Sequence, residues 1–384
     1  MRNWLLPEYL EDVLPAEAMR IEQLRRKLLD LFHVHGYQYV IPPMLEYMES
    51  LITGVGHDLD LATFKVVDQL TGRLMGVRAD MTPQVARIDA HLLNHQGVTR
   101  LCYAGSVLRT KPDGLAQTRE PLQLGAELYG HAGVESDIEV ERLLVAALHD
   151  IGITKIHMDF SHVGIFESLV KIGQISATLE QSLHLALQSK DQSTVRQLAA
   201  DLDVSTREGL IQLMMLNGDK TVLEHAKAVL PQTPEIQEAL ASLTKVSAAL
   251  EGLGVETSFD LSELRGYHYH SGIVFAAYAQ GYKGPLALGG RYDEVGITFG
   301  RARPATGFSL DLRGVVTALS PAVLPSAILA PADDDANLHA KMTQLREAGH
   351  VVVQVLPDVP LNTSELNCKQ KLVQINGVWV VEAI

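Results

Sequence analysis

Apolar and polar positions alternate along this chain with two periods. Between Pro15 and His35, Ile21, Leu24, Leu28, Leu31 and Phe32 share one face and Arg25, Arg26 and Lys27 lie opposite, which predicts an amphipathic helix. A short strand at 37–41, stopped by Pro42-Pro43, follows. Helical patterns recur through Tyr47 and Met48, from Thr82 to about Asn94, and from Glu135 to Gly152, where acids in the first turns suit the helix dipole. Runs at 72–80, 99–110 and 155–160 predict strands. From 164 to 254 the texture changes: Leu, Ala, Gln and Ser dominate, aromatic residues vanish after Phe166, and the helical period persists. Strands resume at 256–261 and 272–280, followed by the glycine-rich ALGGRYDEVG. The last stretch predicts strand 326–332, helix 335–349, strand 350–357 and a terminal strand 378–383. The expected division is a core of 1–163 with 255–320, a helical insertion at 164–254, and a small C-terminal α/β unit at 321–384 of a size near the lower limit for folding alone.

One stretch concentrates polar groups. Residues 107–129, VLRTKPDGLAQTREPLQLGAELY, predict an antiparallel hairpin turning near Asp113-Gly114, with Arg109 near the end of its first arm. Gln123 and Glu127 are four apart on the returning arm and so share a face. Asp80 and Thr82 fall at a strand-to-helix junction, where capping of free backbone N–H groups is the plain structural use. In ELRGYHYHSGIVF, His268 and His270 share a face if the segment is extended, a metal pattern short of a third ligand. GGRYDEVG brings glycines that permit close backbone approach and the hydroxyl of Tyr292. Dinucleotide, P-loop and nucleophile-elbow fingerprints are absent. The set suits a small zwitterion: a carboxylate such as Asp80 for an ammonium, the Arg109 fork for a carboxylate, and Glu127 for an N–H donor.

Composition narrows the classes. A net charge of −14 counts against a polyanionic partner, which needs a basic surface. Two cysteines, Cys102 and Cys368, exclude a disulfide framework. No apolar run reaches membrane-spanning length, and the acidic N-terminal stretch broken at Pro7 is unlike a secretory signal, so a cytoplasmic protein is expected.

Taken in order, IPPMLEYMES, RLCYAGSVLRT with REPLQLGAELYG, and GGRYDEVG with RPATGFSLDL resemble the three motifs of class II aminoacyl-tRNA synthetases. ELRGYHYHSGIVF is similar to the segment RGLDYYTG of histidyl-tRNA synthetases. The resemblance covers about the first 320 residues and implies an antiparallel α+β core of the class II synthetase type, dimerising through its first motif. It also implies a histidine site of Asp80, Thr82, Arg109, Gln123, Glu127, Arg265, Tyr269, His270 and Tyr292, with Glu127 on the imidazole; the synthetases carry Glu for Asp80 and a second Tyr for His270. Three positions depart on the ATP side: Lys111 replaces an adenine-accepting Glu, Pro121 a stacking aromatic, and Gly314 a triphosphate-binding Arg.

With its short C-terminal unit, the whole chain resembles the regulatory subunits of ATP phosphoribosyltransferase, synthetase paralogues of histidine biosynthesis. That resemblance implies no chemistry or cofactor in this chain. Mg²⁺ belongs to a short catalytic partner subunit, histidine is a feedback effector, and neither tRNA nor membrane is a partner. The alternatives it leaves open are an active histidine–tRNA ligase and a histidine-sensing adaptor for another partner.

Overall fold

The computed structural model describes residues 4–51, 57–112, 118–323, 325–357 and 366–384. The chain divides into two compact units, Met1–Asp12 with Ile21–Ser320, and Val13–Arg20 with Pro321–Ile384. This departs from the division expected from sequence in two ways. Val13–Arg20 groups with the C-terminal residues, and the helical stretch 164–254 is no separate body but part of the first unit. The reason for the second lies in helix Pro234–Leu250, started by Pro234 and capped by Thr233, whose side chain accepts from the Ile236 amide. Its buried Ile236, Leu240, Leu243 and Val246 face the core, where it packs on helices Val134–Asp150 and Val163–Ile172.

The first unit is built on a nine-stranded sheet. Across it run Gln38–Tyr39, Thr99–Ser106, Leu122–Tyr129, Ala305–Asp311, Ala287–Arg291, Ile273–Ala279, Ile156–His162, Val255–Asp260 and Asn217–Gly218. Pairing is antiparallel except for Gln38–Tyr39 on Thr99–Ser106 and Ile156–His162 on Val255–Asp260. Helix Val134–Asp150 buries Val140, Leu144 and Leu148 and packs on strands Ala305–Asp311 and Leu122–Tyr129.

The period of the first long helix is realised as Pro15–Val34, with Ile21, Leu28 and Phe32 buried. Other local expectations needed revision. The strand at 37–41 shrinks to Gln38–Tyr39, and Tyr47 belongs to strand Leu45–Tyr47, leaving Met48–Leu51 helical. The helix from Thr82 stays α-helical only to Arg87, then widens to a π-helical turn, Ile88–Leu93, ended by Asn94 in the left-handed region. Asp89 in that turn is buried and takes both oxygens to Arg303 Nη1, at 2.8 and 3.0 Å. The Asp113-Gly114 turn lies outside the described residues.

The second unit carries a four-stranded sheet in the order Val351–Gln354, Ala327–Ala330, Cys368–Ile375 and Val378–Ala383. Strand Cys368–Ile375 had no counterpart in the sequence pattern, because its polar residues hide the alternation. Ile328, Leu338, Met342, Val352, Leu372 and Trp379 form its core. Trp379 Nε1 donates to Asp335 Oδ2 at 2.6 Å, and Asp335 caps helix Ala336–Glu347.

Candidate functional site

Residues paired across neighbouring strands point to the same face of a sheet. The register aligns Leu101, Glu127, Gly307, Gly290, Val274 and Ser161 in one row. Beside it run Tyr103, Gly125, Ser309, Leu288, Ala276 and Asp159, and beyond these Gly105, Gln123 and Asp311. Polar side chains from four of these six strands therefore share one face, and glycines keep its floor low. A Cβ at Gly307 would collide with the Glu127 carboxylate, and one at Gly290 would press on the His270 ring.

Glu127 sits at the bottom, 1% exposed. Tyr103 donates to its Oε1 at 2.9 Å and Tyr292 to its Oε2 at 2.5 Å. Thr82 Oγ1 lies 3.0 Å from the Tyr103 hydroxyl, and Tyr292 bonds Tyr129 at 3.2 Å. Burial pushes the Glu127 carboxyl up to about 8, although both tyrosines pull it down. The carboxyl therefore favours its protonated form near neutral pH.

At the adjoining end, Gln123 Nε2 donates to Asp80 Oδ1 at 2.7 Å, while its Oε1 accepts from the Met81 amide at 2.8 Å. Asp80 Oδ1 also accepts from the Thr82 amide at 2.9 Å. The Asp80 carboxylate thus ties the first helical amide, that of Thr82, to Gln123, while Met81 holds the N-cap position without a side-chain cap. Arg109 lies beyond the end of strand Thr99–Ser106, bridged to Thr63, with Nε 3.3 Å from the Ala79 carbonyl. It shares a cavity of about 100 Å³ with Gln123, Asp311, Ser309, Pro121 and Tyr282. The hairpin thus brings Arg109 together with Gln123, whereas Glu127 lies further along the returning arm.

The segment 263–272 is a turn, not an extended run, with Tyr269 and His270 amides both donating to the Gly266 carbonyl. His268 and His270 therefore do not form a shared metal face. His268 packs on Tyr267 and His184, and among the described residues no group of three His, Cys, Asp or Glu is placed to hold a metal. Tyr269 stacks on Tyr292 with ring centres 5.2 Å apart, its hydroxyl buried and without a hydrogen-bond partner. His270 Nδ1 donates to the Arg291 carbonyl at 3.2 Å, and burial holds the ring near 4, so it is neutral with Nε2 as an acceptor. Arg265 is exposed and pairs with Glu263 at 3.5 Å. With His270 it lines a second cavity, about 140 Å³, over Asp159 and Ser161.

Of the predicted residues, Thr82, Glu127, Tyr292 and Tyr269 converge on one buried cluster; Asp80, Gln123 and Arg109 form its neighbouring end; Arg265 and His270 face the second cavity. Sequence reasoning missed Tyr103, although strand alternation with Leu101 and Gly105 places it on this face. It also missed Asp159 and Ser161, which only the register brings alongside. On the ATP side, Lys111 is exposed, Pro121 is buried, and a side chain at Gly314 would meet the Tyr282 hydroxyl.

Comparison with known proteins shows the family. The family model described as histidyl-tRNA synthetase matches residues 9–315, and that of the C-terminal domain of ATP phosphoribosyltransferase subunit HisZ matches 325–382. A relative from Methylobacillus flagellatus, named ATP phosphoribosyltransferase regulatory subunit, is 67% identical over 383 residues, covering 100% of this chain and 99% of its own. A relative of the same name from Nitrosospira multiformis is 53% identical, covering 99% and 98%. A crystal structure from Bacillus halodurans, described as an ATP phosphoribosyltransferase regulatory subunit/histidyl-tRNA synthetase, superposes with a TM-score of 0.82 at 28% identity, covering 94% of this chain and 96% of its own.

Proposed function

This chain belongs to the family of ATP phosphoribosyltransferase regulatory subunits, and on that premise we propose that it activates a short catalytic phosphoribosyltransferase subunit and reverses the activation when its sheet face binds histidine. The observation that carries the reading is Glu127, a buried carboxyl held between two tyrosine hydroxyls and pushed up to about 8. An imidazole N–H brought to Glu127 favours the carboxylate, so binding near neutral pH expels a proton. The ammonium goes to Asp80 and the carboxylate to Arg109, with Thr82 and Gln123 orienting these groups. Tyr269, His270, Tyr292 and Arg265 close the site around the ring.

No chemistry or cofactor is assigned to this chain, and Mg²⁺ serves the catalytic partner in joining ATP to phosphoribosyl pyrophosphate. Lys111, Pro121 and Gly314, together with Tyr282 where a residue-314 side chain would project, argue against adenylation and hence against a tRNA ligase. Net charge of −14 is likewise unsuited to tRNA. The first motif is the proposed self-dimer surface: Ile41, Met44 and Leu45, with Val66, Val67 and Leu74 of the three-stranded sheet, are exposed apolar residues. A cytoplasmic location follows from the proposed role in a biosynthetic enzyme; among the described residues no helix is long and apolar enough to span a membrane. Feedback then requires histidine to favour one quaternary state by about 1–3 kcal/mol, and catalytic-site ligands to shift histidine affinity reciprocally.

The test is a thermal melt with histidine, with ATP and with both. Histidine at one hundred times its Kd is expected to stabilise by about 2.7 kcal/mol. ATP is expected to give no shift. A shift with ATP, or none with histidine, overturns the reading.

A further inference from the structure

The hairpin that carries Arg109 is closed at its far end by a side chain rather than by its own backbone. Beyond strands Thr99–Ser106 and Leu122–Tyr129 the ladder continues in register: the Val107 amide donates to the Pro121 carbonyl at 3.0 Å and the Arg109 amide to the Arg119 carbonyl at 2.8 Å. Residues paired in this way normally exchange both bonds, so the Arg119 amide belongs on the Arg109 carbonyl. It donates instead to the Tyr9 carbonyl at 3.0 Å, and the Arg109 carbonyl accepts from Arg119 Nε at 3.1 Å. The Arg119 side chain thus replaces a rung that its own backbone gives to the N-terminal segment.

That segment is tied to the hairpin through its backbone. Thr118 Oγ1 also donates to the Tyr9 carbonyl, at 3.2 Å, and Arg119 Nη1 donates to the Glu8 carbonyl at 3.4 Å. The Arg119 guanidinium lies over the Phe64 ring, 4.9 Å from its centre, next to Thr63, which bridges Arg109. Tyr9 holds φ at +63°, in the left-handed region that a bulky side chain rarely adopts. Tyr9 is 54% exposed, and Trp4, Leu5 and Leu6 are exposed too, so side-chain burial offsets little of that strain. A strained backbone with exposed side chains marks a segment that opens locally at low cost. Once it lifts, the Arg119 amide is free to close the regular ladder and displace its own guanidinium from the Arg109 carbonyl. The hairpin therefore has two arrangements around Arg109, whose Nε reaches the Ala79 carbonyl beside Asp80.

We propose that Arg119 is a positioning residue and that residues 4–10 are its strap. With the strap attached, Arg119 holds the Arg109 fork where a ligand carboxylate is received; lifting the strap lowers the affinity for carboxylate-bearing ligands. The inference rests on the histidine reading above, in which Arg109 meets the carboxylate.

The probes are histidine and histidinol, in which an alcohol replaces the carboxylate, titrated by calorimetry into the full-length protein. Wild type should favour histidine by more than about tenfold, the worth of a charge-assisted contact. Arg119→Lys keeps the charge but has no Nε to fill the Arg109 carbonyl. Tyr9→Pro fixes φ at about −65° and so cannot keep the strap's conformation. Each should weaken histidine by about tenfold and leave histidinol within about twofold. Tyr9→Gly, which adopts the same φ freely and keeps the carbonyl, should bind both ligands as wild type does. Unchanged histidine affinity in Arg119→Lys or Tyr9→Pro overturns the proposal. So does equal weakening of both ligands, which marks a general loss of structure, or a Tyr9→Gly variant that behaves like Tyr9→Pro. A wild type with no preference for histidine, or a preference that survives Arg109→Ala, overturns the histidine site proposed above, whereas the other outcomes leave that site standing.

Discussion

Replacing Glu127 by Gln removes an ionisable group from a place where ionisation is costly. The wild-type carboxyl has a folded pKa of about 8 against 4.5 for an ordinary glutamate, with burial the leading cause. A pKa raised on folding means the folded state binds the proton more tightly. Its contribution is therefore fully present below about pH 4.5, is lost as pH rises through about 8, and is flat above. By linkage, wild type loses roughly 1 kcal/mol at about pH 5, 3 at pH 7 and 5 at pH 9, relative to a neutral side chain. The amide keeps the shape and an acceptor oxygen, and one tyrosine hydroxyl can turn to accept from its NH₂. Urea unfolding of both proteins at these three pH values should show Glu127→Gln gaining on wild type as pH rises, by up to a few kcal/mol, while its histidine-dependent melt shift disappears. A stability difference that does not change with pH would refute the raised pKa. A variant that keeps its histidine response would refute the role in binding.

Tyr269→Phe removes a buried hydroxyl without a partner, so the ligand-free protein should melt no lower and gain up to about 1 kcal/mol, while histidine affinity falls; a lower melt would contradict the geometry. Asp89→Asn leaves the Arg303 guanidinium buried without its counter-charge and should cost about 3–5 kcal/mol by urea unfolding; the double change with Arg303→Met should recover most of it. Gly307→Ala drives a methyl into the Glu127 carboxylate on a strand paired on both sides; it should lower stability by about 1–3 kcal/mol and abolish the histidine-dependent melt shift.

Much of this protein follows from sequence alone. The 3.6-residue period located helices Pro15–Val34 and Val134–Asp150, and four-residue spacing put Gln123 and Glu127 on one face of a strand. The order of the motifs fixed the family likeness before any contact was known, and the altered ATP-side residues were legible as substitutions of charge and shape. These features are local, or depend only on order along the chain.

The tertiary structure decided what depends on distant partners. The turn of the helix after Arg87 widens around Asp89, whose partner Arg303 is 214 residues away. Arg109 joins Gln123 rather than Glu127 because the antiparallel register sets Glu127 opposite Leu101 and Gln123 opposite Gly105, while the Arg109 amide bonds the Arg119 carbonyl. Glu127 is an ordinary glutamate in the sequence; it becomes a neutral-pH acid only when the sheet shuts out water, an effect that outweighs the downward pull of Tyr103 and Tyr292 on its two oxygens. Asp159 and Ser161 gain significance only through a strand register that no local pattern specifies. Propensity and periodicity act over a few residues, whereas burial and charge are properties of the whole surroundings, and those exist only once remote strands have paired.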